Sequence, residues 1–175
     1  MRLARDRDLE VPVKAFEPAV LALAQALRGA GLKLATAESC TGGLIAAACT
    51  ALAGACACIE RGFVTYSNEA KTELLGVDAA LIATHGAVSG EVAQAMADGA
   101  LAHSRADLAV AVTGIAGPGG ATPGKPVGTV WLAVAQRGQG TQAELLRLGG
   151  DRASVREQAV ANALQRLTAR AELVS

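Results

Sequence analysis

Apolar residues recur every three or four positions at Phe16, Val20, Leu23, Ala24 and Leu27, the spacing of one helix face, and Gly29 and Gly31 mark its end. Residues 32–37 follow as a short apolar run, which predicts a buried strand. A helix is expected from Gly42 to near Gly54, then a second strand over 62–67. Asn68 is a suitable cap for a short helix through Leu75, closed by Gly76. Ser89 caps another, with Val92, Met96, Ala100 and Leu101 facing inward and Glu91 suited to the first turn. Residues 107–113 give the clearest buried strand. A glycine- and proline-rich loop over 114–126 separates it from strands predicted at 127–135 and, at an edge, 141–148. Asp151 opens a last helix with Val155, Ala159, Ala163, Leu164 and Leu167 on one face. Helices alternating with buried strands predict an α/β layered domain with a mostly parallel or mixed sheet.

Composition refines this picture. Hydrophobic residues make up 51% of the 175 positions, many of them alanine, while aromatics make up 2%, so the core must pack small side chains at close contacts. A single domain over residues 16–175, preceded by a flexible arm over 1–15, accounts for the length. The arm mixes charges of both signs and lacks the apolar stretch of a secretory signal; no run suits a membrane span. Sixteen basic and sixteen acidic residues balance, which gives nucleic-acid binding no support from bulk charge. Cys40, Cys49, Cys56 and Cys58 crowd into one region without a disulfide or metal-ligand spacing, which points to a reducing cytoplasm and no metal. His85 and His103 form no triad, and His85 is read as structural, in a turn ahead of a helix. Abundant alanine and an edge strand point to a homo-oligomer.

In an α/β sheet ligands bind beyond the carboxyl ends of the strands. The loop there after the first predicted strand reads Glu38-Ser39-Cys40-Thr41-Gly42-Gly43, a turn entering a helix. Ser39 or Thr41 suits a cap, and the free N–H groups around Thr41, Gly42 and Gly43 suit an anion or oxyanion. The loop after the second carries Tyr66 and Lys71, five positions apart across a strand–helix turn. A lysine acting as base near neutral pH needs its pKa lowered by about three units from about 10.4, a cost on the order of 4 kcal/mol, which burial or a nearby cation supplies. The loop after the third, Thr113-Gly114-Ile115-Ala116-Gly117-Pro118-Gly119-Gly120, suits an anion cradle but has neither P-loop nor dinucleotide spacing. Arg152, just after Asp151, suits a phosphate or carboxylate.

Six segments occur in order: TAESCTGG (36–43), RGFVTYSNEAK (61–71), HGAVS (85–89), TGIAGPGG (113–120), KPVGTVW (125–131) and GDR (150–152). Together they resemble the CinA C-terminal domain family, over about residues 16–170. The resemblance implies a three-layer α/β/α sandwich and hydrolysis of the carboxamide of nicotinamide mononucleotide, without a cofactor. It carries over to Ser39, Tyr66, Lys71, Thr113 and Arg152. The family often reads Ala-Gly-Ser-Ser where this chain reads Ala53-Gly54-Ala55-Cys56. Two nucleophiles are therefore open. Cys56 is the favoured one, with Ser39 polarising or positioning the amide; alternatively Ser39 attacks. Lys71 is the base in both, and Gly114 and Gly117 with Arg152 hold the phosphate. A nucleotide-binding module that has lost its chemistry through the change at residue 56 is the competing expectation.

Overall fold

The computed structural model describes residues 13–53 and 57–174. After a 3-10 turn at Val13–Phe16 the elements run α1 (Glu17–Ala30), β1 (Leu34–Glu38), α2 (Leu44–Ala51), β2 (Ile59–Val64), α3 (Asn68–Leu75), α4 (Ala79–His85), α5 (Gly90–Ala102), β3 (Leu108–Gly114), β4 (Thr129–Gln136), β5 (Gln142–Arg147) and α6 (Arg152–Glu172). The strands form one sheet in the order β2-β1-β3-β4-β5. β1 pairs in parallel with both β2 and β3, while β3–β4 and β4–β5 are antiparallel, so the sheet is mixed.

Side chains alternate between the two faces of a strand, and here the alternation sorts them by size. Leu34, Leu108, Val110, Val112, Val130, Leu132 and Val134 face α1, α2 and α6. Ala35, Ala37, Ala109, Ala111, Ala133 and Ala135 face α3, α4 and α5. The expected three layers are present: helices cover both faces of the sheet. One interface is filled by branched side chains; on the alanine side the helix residues, among them Val92 and Met96, fill the space. Close packing extends to the helices themselves. A Cβ added at Gly99 in α5 would overlap the Leu75 carbonyl at the end of α3.

The main departures from the sequence expectation each have a local reason. The second strand lies at Ile59–Val64 rather than 62–67. Glu60 and Arg61 interrupt the apolar pattern because β2 is an edge strand, and the chain leaves the sheet once the Thr65 N–H has bonded Glu38 O at 2.8 Å. Ser67, not Asn68, caps α3: its Oγ accepts the Ala70 N–H at 3.0 Å. His85 ends the short helix α4, capped by Asp78, which a segment with one buried apolar residue, Ile82, did not announce. Ser89 and Asp151 cap α5 and α6 as expected, accepting the Val92 and Ser154 N–H groups.

Replacing Gly99 with alanine is expected to cost about 2–3 kcal/mol through overpacking, measured as a lowered urea midpoint. Gly29, exposed in α1 with nothing near an added Cβ, is the matched control: Gly29→Ala gains up to about 1 kcal/mol.

Candidate active site

The carboxyl ends of β1, β2 and β3 deliver their loops to one cleft of about 320 Å³. Ser39, Tyr66, Lys71, Thr113, Gly114, Gly117 and Arg152 all line it, as do Cys40 and Asn68. A larger groove of about 570 Å³ runs between β5 and α6, but the charged pair in it, Glu144 and Arg166, is mutually engaged at 2.6 Å. The smaller cleft is the one with reactive groups at its floor.

Lys71 and Leu75 are four residues apart on α3 and face inward together, which buries the lysine to 1% exposure. Its Nζ lies 2.9 Å from Thr65 O, 3.4 Å from Ser67 O and 3.1 Å from Ser39 Oγ. The two carbonyls can only accept. A neutral amine donates its two hydrogens to them and turns its lone pair to the serine hydroxyl. Burial holds the Lys71 amine below the ordinary lysine range, while Cys40 and Glu69 pull the other way. The opposition from Cys40 is weak at neutral pH, because burial pushes that thiol up to about 11 and keeps it uncharged.

Ser39 owes its place to its neighbour. Glu38 ends β1 fully buried, and its carboxylate accepts the N–H groups of Gly43, Ile45 and Ala46 at 3.1, 3.0 and 2.9 Å. It thereby caps α2 from the preceding strand and favours the positive end of the helix dipole. Ser39 N–H bonds Val112 O at 2.9 Å, which ties the turn to β3. This corrects the expectation for the glycines. The Gly42 N–H is engaged by Ser39 O and the Gly43 N–H by Glu38, so neither is free for an anion, and neither residue nor Thr41 lines the cleft. Thr41 is buried, and its carbonyl accepts from Arg156 at 3.0 Å.

The opposite wall is the loop after β3. Thr113 Oγ1 donates to Ala87 O at 2.8 Å, joining β3 to the turn ahead of α5. At Gly117, with φ +84°, an added Cβ would lie 2.7 Å from Val127. Among the described residues the N–H groups of Ala116, Gly117, Gly119 and Gly120 have no acceptor within the chain. Arg152 donates to Gly117 O at 2.8 Å and to Tyr66 Oη at 3.1 Å, closing the rim. Tyr66 therefore contacts the arginine rather than Ser39 or Lys71, and is 62% exposed. Free main-chain donors beside a guanidinium make an anion-binding edge.

Cys56 lies outside the described residues. Cys58, two positions on, is at the far end of β1 from Ser39: its carbonyl accepts the Leu34 N–H at 2.8 Å. Among the described residues no group of three or more His, Cys, Asp or Glu could hold a metal ion, and no helix is long and apolar enough to cross a membrane. Glu38, Arg156 and Lys125 were not assigned roles from the sequence. The one available signal was an acidic residue directly ahead of a helix-opening Ser-Cys-Thr-Gly-Gly turn.

The family model of the CinA C-terminal domain matches residues 17–171. The chain belongs to the CinA C-terminal domain family. It is 55% identical, over 82% of its length and 87% of the relative's, to the nicotinamide-nucleotide amidohydrolase PncC of Escherichia coli strain K12. It is likewise 55% identical, over 82% of its length, to a putative competence-damage inducible protein of Symbiobacterium thermophilum, but covers 35% of that protein. The chain spans about a third of the length of the longer CinA-like relatives it matches. The crystal structure of the competence/damage inducible protein CihA from Agrobacterium tumefaciens superimposes with a TM-score of 0.86 at 48% identity, over 88% of this chain and 94% of that one.

Two stability measurements check this geometry. Glu38→Ala leaves three N–H groups without their acceptor and is expected to cost about 3–5 kcal/mol in urea unfolding. For Lys71, the folded chain holds the proton less tightly than the unfolded chain. Unfolding then takes up a proton between the folded pKa and about 10.4, so stability rises with pH across that window. In Lys71→Met this slope is expected to vanish, and the wild-type stability relative to the variant grows as pH rises.

Proposed function

We propose that the chain hydrolyses the carboxamide of nicotinamide mononucleotide to nicotinate mononucleotide and ammonia, with Ser39 as nucleophile and Lys71 as base. The observation that carries this is the buried Lys71 amine 3.1 Å from Ser39 Oγ. The nucleotide comes from the name of the Escherichia coli relative. Lys71 takes the hydroxyl proton as Ser39 Oγ bonds the amide carbon. Negative charge develops on the former carbonyl oxygen beside the ammonium that Lys71 has become, in a site shielded from water. Lys71 returns the proton to the departing nitrogen, the C–N bond breaks, and ammonia leaves. Water, deprotonated by the same amine, then attacks the acyl ester and restores Ser39. Arg152 and the free N–H groups of the 116–120 segment bind the phosphate, and Tyr66 holds Arg152 in place. The direct contact of Lys71 Nζ with Ser39 Oγ favours Ser39 for attack.

The proposal extends to one domain over residues 16–175, to pyridine-nucleotide recycling in the cytoplasm and to a homo-oligomer. The exposed edges of β2 and β5 support the last of these.

Ammonia release from nicotinamide mononucleotide is the test. Lys71→Ala is expected to lower kcat/KM by about 10²–10⁴-fold, and Ser39→Ala to abolish the acyl-enzyme trapped by acid quench and mass spectrometry. The base works when neutral, so the wild-type rate rises with pH on a limb centred below about 10.4. An acyl group recovered on Cys56 moves the nucleophile there. Calorimetric binding without turnover makes the chain a binding module instead.

A further inference from the structure

Between β3 and β4 the chain leaves the sheet over residues 115–128 and doubles back. At the tip Thr122 and Lys125 exchange main-chain hydrogen bonds of 3.1 and 2.9 Å around Pro123 and Gly124. Gly124 has φ +83°, and proline followed by such a glycine is the order a tight type II turn requires. The turn sends Lys125 back to the segment ahead of α5. Its Nζ donates to Val88 O at 2.8 Å and to His85 O at 3.1 Å. Those carbonyls belong to the 85–89 turn between α4 and α5, which supplies Ala87 and Val88 to one cleft wall, while 114–120 forms the other. Among the described residues, the hydrogen bonds joining this turn to the 113–128 segment are these two and the one from Thr113 to Ala87. No carboxylate among the described residues pairs with Lys125. Its side-chain nitrogen is held by the carbonyl dipoles of His85 and Val88.

We infer that Lys125 is a positioning residue that straps the 115–128 loop to the 85–89 turn and so fixes the separation of the two cleft walls. The free N–H groups of Ala116, Gly117, Gly119 and Gly120 recognise an anion only when that loop is held still, and the strap determines their aim. Thr113 anchors the loop at its base; Lys125 anchors the far end. What the cleft binds rests on the amidohydrolase reading, whereas the strap is a property of the free protein.

Lys125→Met and Lys125→Arg are compared with the wild type in two measurements. In amide hydrogen exchange of the free protein, Lys125→Met is expected to speed exchange at the hydrogen-bonded amides of Gly86 in the 85–89 segment and of Ile115, Thr122 and Gly128 in the 115–128 segment, and Lys125→Arg to restore protection. In kinetics with nicotinamide mononucleotide, Lys125→Met is expected to raise KM about tenfold with kcat within about threefold, and the arginine variant to recover most of the loss. Exchange unchanged in either segment overturns the strap. Faster exchange with unchanged KM overturns its role in binding. A wild type that does not turn over the nucleotide defeats the amidohydrolase reading, and the exchange measurement still decides the strap.

Discussion

A primary amine held out of water is the constraint around which this molecule is organised. Lysine is almost never fully buried unless its charge is compensated. Here the compensation comes from two main-chain carbonyls and a hydroxyl, and among the described residues no carboxylate forms an ion pair with Lys71. Carbonyl dipoles satisfy N–H donors without stabilising the ammonium as an anion would, so the arrangement favours the neutral amine. The acceptors are the turn at Thr65–Ser67 and the turn at Ser39, each set by the end of a different strand. The position of one nitrogen therefore depends on the register between β1 and β2.

That register is maintained by buried polar contacts as well as by the core. Glu38 spans the junction between β1 and α2 and holds the turn that carries Ser39. The Thr65 N–H closes onto Glu38 O and so places the Lys71 acceptor beside the same junction. The size asymmetry of the sheet contributes from below. Alanines on one face bring α5 close, and α5 at Gly99 receives the end of α3, the helix that carries Lys71. Small residues in the core thus bear directly on where the amine sits.

The sequence announced the layered α/β fold through particular segments: the apolar run of β3, the periodicity of α1 and α6, and the caps Ser89 and Asp151. Edge and short elements were less legible. Glu60 and Arg61 pair with each other in β2 and hide its start, and α4 buries too little to show a period. Ser39, Tyr66, Lys71, Thr113, Gly114, Gly117 and Arg152 were named as candidates from loops at strand ends, and the fold brings them to one cleft. Thr41, Gly42 and Gly43 were named by the same logic but do not line it. Free N–H groups at a helix start invite an anion in general, and in this chain a carboxylate one residue before the nucleophile candidate is already there.

Hydrophobic periodicity, chain length and the order of six short motifs were enough to determine the layers, the family and the loops that carry polar residues, because those depend on local spacing and on which faces must be buried. Tertiary structure alone decided the rest. Whether Lys71 meets Ser39 and whether Tyr66 meets Arg152 depend on contacts between residues 32 to 86 positions apart. Such contacts leave no periodic trace along the chain. They exist only once separate strands have been set side by side.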